Sequence, residues 1–198
     1  MRRRGFLRRK INGKWLSEKE SGQIGWCLGL FFILFLAVLL STQLQLEQYR
    51  STGLYLEDAL AASNLASAII DLEEYGISHR IRLSNPGQAY ERCREAIKGN
   101  LNLNQNWECG NKSLIDGKVE VVNYIIFNVE QDRVFSYRVS EDGRISETEG
   151  VLGNVRAPNG ILVEATGIYS EIAFMTRGIW GIQVRAHKGK LVDIQGEA

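Results

Sequence analysis

Histidine is scarce in this sequence, and the short motifs that usually mark a catalytic site are absent from it. The 198 residues include 2 histidines, His79 and His187, and each lies next to a basic residue. There is no G-x-S-x-G stretch, and Gly150-Val151-Leu152-Gly153 lacks the lysine of a phosphate-binding loop. We therefore expect no enzyme activity, no cofactor and no small-molecule substrate, and we interpret both histidines as surface residues.

Cysteine is also rare, with 3 residues and no C-x-x-C pair, so we expect no metal site. Cys27 falls in an apolar run, where we interpret it as a small apolar residue. Cys93 and Cys109 follow in the C-terminal part, where a disulfide between them would contribute up to about 3 kcal/mol in an oxidising compartment. The sequence allows this disulfide, with two free thiols as the alternative.

Residues 1–17 contain no acidic residue, and basic residues are concentrated there. The net charge of the whole chain is nevertheless only +1. The basic arm consists of Arg2, Arg3, Arg4, Arg8, Arg9, Lys10 and Lys14. Such an arm can bind nucleic acid, but an apolar segment follows this one almost at once. We therefore expect the lipid bilayer as a partner, and no nucleic acid.

The apolar segment is uncharged from Ile24 to Leu40, and Ser41-Thr42-Gln43 extends it to Leu44. At about 1.5 Å per residue it gives roughly 25 to 30 Å of helix, enough to cross the core of a bilayer. A cleaved signal peptide would have a shorter apolar region followed by an A-x-A-like cleavage site, whereas Leu40 is followed by Ser41-Thr42-Gln43-Leu44-Gln45. We predict a retained transmembrane helix over 24–44, with a cleaved signal as the alternative.

Basic residues also set the expected orientation, because they are enriched on the cytoplasmic side of a span. In the twenty residues after Leu40 the only one is Arg50. We therefore predict a single-pass protein of the cell membrane, with a cytoplasmic tail over 1–23 and everything beyond the span on the extracytoplasmic side.

Helix-breaking residues are missing beyond the span, since residues 44–75 contain no proline and one glycine, Gly53. We predict a stalk helix over 45–76 that ends at Gly76. Its apolar stripe consists of Leu54, Ala61, Leu65, Ala68, Ile69 and Leu72. Its acidic residues are interpreted as a solvated face rather than a calcium site. These acidic residues are Glu57, Asp58, Asp71, Glu73 and Glu74.

Residues 77–198 are predicted to form an extracytoplasmic α+β domain. A short helix over Gln88–Lys98, with Tyr90, Cys93, Ala96 and Ile97 on one face, precedes segments of period two, the pattern of β-strands. A three-strand meander is predicted from Val119–Val129, Arg133–Ser140 and Ile145–Glu149, with a hairpin turn at Glu141-Asp142-Gly143-Arg144.

A second hairpin, around Arg177-Gly178, is predicted from Ile168–Thr176 and Ile179–His187, and its second strand has Trp180, Ile182, Val184 and Ala186 on one face. A turn at Lys188-Gly189-Lys190 then leads into a last strand, Leu191–Ile194. The fold class is therefore α+β and pilin-like, with the outer half of the long helix covering one face of an antiparallel sheet.

Small residues in the span form a row at every fourth position: Gly25, Gly29, Ala37 and Ser41, with Ile33 between them. Small side chains let two membrane helices approach closely, so the row predicts helix-helix association. The alternative is that glycine is simply common in membrane helices.

The order of these features resembles the minor-pilin-like proteins of tight-adherence (Tad or Flp) pilus systems of Gram-positive bacteria, the TadE/TadG-like group. The resemblance is carried by Glu20-Ser21-Gly22-Gln23, Leu54–Gly76, Asn100-Leu101-Asn102-Leu103, Pro158-Asn159-Gly160 and Gly167–Phe174. One position departs from that pattern: cleavage after Gly22 would place Cys27 where prepilins carry a glutamate. Prepilin processing is therefore not carried over.

The resemblance implies a membrane-anchored, pseudopilin-like structural component of a pilus or secretion assembly that acts through protein-protein contacts. Its expected partners are other pilus-assembly or pseudopilin subunits, or further copies of this chain. The alternative is a membrane-anchored extracytoplasmic binding or sensory module.

Overall fold

A computed structural model describes the backbone of residues 14–110, 115–178 and 181–194, and side chains from residue 25 onward. Within these ranges the fold is α+β, as predicted, and the chain divides into two compact units, Met1–Glu47 and Gln48–Ala198. The helices are α1 Lys14–Ser67, α2 Leu72–Ser78 and α3 Pro86–Asn100. The strands are β1 Asp116–Glu130, β2 Arg133–Val139, β3 Ile145–Val151, β4 Gly167–Arg177 and β5 Gln183–Asp193.

The strands form one antiparallel sheet in the order β3-β2-β1-β4-β5. The predicted meander of β1, β2 and β3 is confirmed, and Ile126 of β1 pairs with Tyr137 of β2 and with Ile168 of β4. The predicted hairpin of β4 and β5 is also present. Trp180, which we expected to share a face with Ile182 and Val184, lies outside the described residues.

The turn predicted at Lys188-Gly189-Lys190 is wrong, because β5 runs straight through it and pairs Gly189 with Glu171. Gly189 instead allows the backbone of β5 to lie close to the side chain of Tyr169. A Cβ at Gly189 would lie 2.7 Å from Cζ of Tyr169, so the tyrosine ring occupies the space that any side chain would need. Glycine inside a strand often marks such an approach.

The stalk helix does not reach Gly76 as predicted, because α1 ends at Ser67. The chain then pairs with a neighbouring segment: the Asp71 N–H donates to the Arg82 carbonyl at 2.9 Å, and Ile70 bridges Leu83. Helix α2 begins after Asp71, whose carboxylate accepts the Glu74 N–H at 3.1 Å as an N-cap. A non-local backbone pairing thus divides what reads in sequence as one helix.

The buried face of α1 also differs from the predicted stripe. Of that stripe, Leu54, Leu65 and Leu72 are 63%, 55% and 77% exposed, while Ala68 and Ile69 are partly buried against the core. The buried positions of α1 are Leu56, Ala59, Leu60, Ser63, Asn64 and Ser67. Half of the buried face is polar, because its hydroxyl and amide groups form hydrogen bonds inside the fold.

Apolar residues pack in two buried clusters, one on each face of the sheet. The larger joins Leu56 and Leu60 of α1 with side chains of α3 and of the sheet, including Ile126 and Ile168. Helix α3 contributes Tyr90, Cys93 and Ile97, which confirms the predicted second helix and its buried side. The smaller cluster lies on the other face, where Ala157 and Val163 cover side chains such as Phe127 and Tyr169.

Candidate functional site

The uncovered apolar surface of α1 is the most extensive candidate interaction surface. Among the described residues, one helical stretch, Gly25–Ser67, is long and apolar enough to cross a membrane. Every residue from 25 to 41 is exposed, and Phe31, Phe32 and Leu40 are 67%, 61% and 65% exposed. Apolar patches of this extent mark contact with lipid or with other proteins. The stretch is therefore compatible with a single-pass membrane anchor.

The predicted row of small residues lies on this exposed part of α1. A Cβ added at Gly25 or Gly29 would meet no described atom within 4 Å. The Ser41 hydroxyl donates to the Val38 carbonyl at 2.9 Å, so its polar group is satisfied within the helix. Ala37 is exposed as well. The row is free for another helix to approach, and association along it stays a prediction.

Asn64 ties α1 to the sheet and is fully buried. Its side-chain NH₂ donates to the carbonyls of Ile168 in β4, at 3.2 Å, and Lys190 in β5, at 3.0 Å. Its side-chain oxygen accepts from the thiol of Cys93 in α3 at 3.7 Å. One amide therefore connects α1 to β4, β5 and α3, although asparagine is usually a surface residue.

Ser67 extends this polar interior at the end of α1. Its hydroxyl donates to the Asn64 carbonyl at 2.8 Å and lies 3.0 Å from the hydroxyl of Tyr124 in β1. Burial raises the pKa of Tyr124, so the phenol stays protonated. We call Asn64, Ser67, Cys93 and Tyr124 the Asn64 cluster.

Cys93 and Cys109 are both free thiols in the structure, and the disulfide that the sequence allows stays a prediction. Cys93 faces α1 from inside the core, and burial raises the pKa of its thiol to about 12. Cys109 is half-buried and directs its sulfur to the Leu101 carbonyl at 3.7 Å. Because the thiolate is the reactive form, Cys93 is an inert core residue here.

The acidic residues of the predicted solvated face have specific partners at two positions. Asp71 caps α2, as described above. The Glu57 carboxylate lies 2.5 Å from Nζ of Lys188 and 3.7 Å from Nζ of Lys190, so it bridges α1 and β5. The hydrogen bond from Lys188 lowers the pKa of Glu57, assisted by the charge of Lys190. Glu57 is therefore a second link between α1 and the sheet.

Replacing Glu57 with glutamine is expected to lower the free energy of unfolding at neutral pH by up to about 1 kcal/mol, the range of partly exposed ion pairs. Because the folded-state pKa is below the ordinary value of 4.5, the pair stabilises the fold above that pH and ceases to do so as pH falls through the folded-state pKa. The difference in free energy of unfolding between Glu57→Gln and the unmodified protein should therefore vanish in acid. Denaturant unfolding across pH 3 to 7, about the window of carboxylate titration, measures this difference. The exposed neighbour gives the matched control Asp58→Asn, and an equal deficit there would contradict the assignment.

A half-open cleft of about 420 Å³ lies beside β1 in the second unit. Its lining combines charged and aromatic side chains: Tyr90, Arg94, Trp107, Lys118, Glu141 and Arg185. The Arg94 guanidinium lies 5.6 Å from the Tyr90 ring centre and 5.1 Å from that of Trp107, which are cation-π distances. The size suits a small polar ligand or a few residues of a peptide.

Both histidines are exposed, as predicted. His79 ends α2, and its N–H donates to the Tyr75 carbonyl. His187 Nδ1 lies 3.2 Å from the Glu171 carboxylate, which also accepts from Asn123 at 2.7 Å and from the Tyr169 hydroxyl at 3.2 Å. Burial, followed by the Glu171 charge, raises the pKa of Tyr169. Glu171 is thus held by three donors on the surface of the sheet.

Within the described part of the chain, no group of three or more His, Cys, Asp or Glu residues could hold a metal ion. The sequence matches no protein-family model, no curated protein and no solved structure.

Proposed function

We propose that this protein is a single-pass membrane component of an extracytoplasmic assembly, acting through protein-protein contacts of the kind that pilus and secretion machineries use. In this proposal the N-terminal arm is cytoplasmic and the unit Gln48–Ala198 is extracytoplasmic. The observation that carries the proposal is the uncovered apolar surface of α1 over residues 25–41, which requires lipid or other helices around it.

Exposed apolar residues also occur on the helices of the C-terminal unit. Leu54 and Leu65 of α1 and Leu72 and Ile77 of α2 are 63%, 55%, 77% and 78% exposed. Leu54, Leu65 and Leu72 belong to the apolar stripe predicted from the sequence, and the fold leaves them on its surface. Helical side chains of this kind suit contact with a neighbouring subunit. We therefore infer other assembly subunits, or further copies of this chain, as partners.

The Asn64 cluster and Glu57 suit a mechanical role. They join α1 to β4 and β5 by directed polar bonds inside the second unit. A load on the N-terminal part of α1 would reach the sheet through these bonds and not through apolar contact alone. The role requires neither a prepilin cleavage nor a reacting group.

Replacing Gly29 with isoleucine is the experiment that tests association. The branched side chain would hold two helices apart, and losing an association worth about 1 to 2 kcal/mol corresponds to a roughly 5- to 30-fold weaker complex. Chemical crosslinking of the intact protein in membranes should give a ladder of multimers that Gly29→Ile removes. Phe31→Ile is the matched control, because residue 31 lies nearly opposite residue 29 around the helix.

A strictly monomeric protein in membranes would contradict the assembly proposal. A second candidate function, an anchored binding or sensory module, would then be favoured by the cleft with Arg94 against Tyr90 and Trp107. Its signature would be a ligand-dependent rise in melting temperature that Arg94→Ala removes.

A further inference from the structure

We propose that β1 has an open edge inside the cleft described above, and that this edge binds an extended, acidic segment of another protein as an added strand. The open edge consists of residues 120–124. The inference concerns the unit Gln48–Ala198 alone, so it does not depend on the membrane anchor or on association along α1. It names the kind of ligand that the cleft takes, whether the cleft serves an assembly or an anchored binding module.

The partners of β1 change along its length. Strand β4 pairs with most of β1 on one side. On the other side, β2 pairs only with residues 125–130. Near the start of β1, the Val119 N–H donates to the Trp107 carbonyl at 2.8 Å. Among the residues that the structure describes, β4 is the only strand that pairs with residues 120–124.

The cleft follows this open edge and not one face of the sheet. Consecutive residues of β1, 118–122, line the cleft, and so does Tyr124. Side chains of consecutive strand residues point to opposite faces, so a cleft that all of them line must run along the side of the strand. This side is the one away from β4, because β4 occupies the other. Trp107 lines the cleft as well, and so do Val139 and Glu141, where the chain leaves β2.

An open edge of this kind offers backbone hydrogen bonds to an incoming strand. Alternate residues of a strand direct their N–H and C=O groups to the same side, and at an edge these groups have no partner strand. At roughly 3.3 Å per residue, residues 120–124 give an edge of about 16 Å, the length of a peptide of about five residues. Because the edge lies within a cleft, an extended chain can reach it more easily than the flanked edge of a second folded copy.

Charge favours an acidic occupant. The charged side chains that line the cleft are Arg94, Lys118, Arg185, Glu120 and Glu141. Arg185 and Glu120 pair with each other at 2.8 Å, so two cations and one anion remain for a ligand. Complementary charge selects among partners, and this excess of positive charge disfavours the basic arm of another copy as the added strand.

Arg94 is positioned to receive a carboxylate. Its contacts with the rings of Tyr90 and Trp107 fix the guanidinium, and its side chain is still 31% exposed. Trp107 has a φ of 64°, a left-handed conformation that is costly for a bulky residue, so the fold maintains this ring position against local strain. The contact of Arg94 with Glu91, at 3.5 Å, is with a carboxylate that is 65% exposed. A guanidinium has five N–H donors, and those beyond this contact can bind a ligand carboxylate.

The test uses the full chain in detergent micelles and a fluorescent heptapeptide of alternating threonine and valine with glutamate at its centre. Fluorescence anisotropy measures binding. A second peptide has lysine in place of glutamate, and a third has N-methylated amides, which removes the backbone donors that an added strand needs. Hydrogen-exchange mass spectrometry, with and without the first peptide, locates the site on the protein.

We expect the glutamate peptide to bind, the lysine peptide to bind about tenfold more weakly, as for the loss of one charge-assisted hydrogen bond, and the N-methylated peptide not to bind. Amides within residues 120–124 should exchange more slowly when the glutamate peptide is present. Arg94→Gln should narrow the difference between the glutamate and lysine peptides. Arg92→Gln is the matched control, because Arg92 is an exposed arginine of the same helix and should leave that difference unchanged.

Equal binding of the N-methylated peptide, or slower exchange outside residues 120–124 alone, would overturn the added strand. Absence of binding by the glutamate peptide would overturn it as well, and multimers that still form in membranes would then leave the assembly proposal intact. A second copy as the occupant is tested with Val122→Cys in a chain whose Cys27 and Cys109 are replaced by serine. Disulfide-linked dimers of this variant would assign the edge to an interface between copies and likewise overturn the inference.

Discussion

Replacing Gly189 with alanine is expected to lower the free energy of unfolding by roughly 2 to 3 kcal/mol, the upper range for overpacking a core. A Cβ at this position would lie 2.7 Å from Cζ and 3.1 Å from Cε2 of Tyr169. The ring cannot move aside at low cost, because Tyr169 is 1% exposed and belongs to the smaller buried cluster. Either β5 or the Tyr169 ring must shift, and both lie in the sheet. Denaturant unfolding of the full chain in detergent, followed by tryptophan fluorescence, measures the change.

Gly99→Ala is the matched control for this prediction. A Cβ at Gly99 would meet no described atom within 4 Å, and the residue lies in α3, where alanine is favoured over glycine by about 0.5 to 1 kcal/mol. It should therefore be neutral or stabilising. Combining Gly189→Ala with Tyr169→Phe should cost less than the sum of the two single changes, because removing the hydroxyl relieves part of the overlap. Strict additivity would show that the ring is not the obstacle.

Replacing Asn64 with alanine is expected to lower the free energy of unfolding by about 2 to 4 kcal/mol, since a buried polar group left without its partner costs about 1 to 3 kcal/mol. Two carbonyls, of Ile168 and Lys190, lose a donor in this variant, and the thiol of Cys93 loses its acceptor. The same unfolding measurement applies. Limited proteolysis should in addition cut the end of α1 faster, because its amide link to β4 and β5 is gone.

Leu65→Ala provides the comparison for Asn64. Leu65 is the next residue of α1 but is 55% exposed, so its truncation should change the free energy of unfolding by less than about 0.5 kcal/mol. If Asn64→Ala behaved like Leu65→Ala, the amide would not be the link between helix and sheet. The pair also tests the assignment of faces, because the predicted apolar stripe contains Leu65 and does not contain Asn64.

Local signals account for the parts of the fold that sequence reading predicted correctly. The β1-β2-β3 meander follows from alternation within short segments and from the Glu141-Asp142-Gly143-Arg144 turn, where Gly143 has a φ of 79°. The buried side of α3 follows from its helical spacing of Tyr90, Cys93 and Ile97. Each of these depends on residues close together in the chain, so no knowledge of distant partners is needed.

The errors share one cause, which is contact between distant segments. Gly189 reads as a turn residue because the Tyr169 ring that fills its side-chain position lies on another strand. Ser67 ends α1 because the chain after it pairs with residues 82 to 84. The hydrogen bonds of Asn64 come from the sheet, so the amide reads as a surface group until the sheet is in place.

By itself, the sequence determined the composition of the chain: a long uncharged apolar segment behind a basic arm, followed by helical and then alternating periodicity. These are properties of consecutive residues, and backbone geometry converts them into helices and strands. Only the tertiary structure decided which side of α1 is buried, where that helix ends, and that Leu54, Leu65, Ile182 and Val184 stay exposed. The physical reason is that burial and polar pairing are settled between segments far apart in the chain, where a hydrogen bond to a sheet carbonyl can make asparagine a better core residue than leucine.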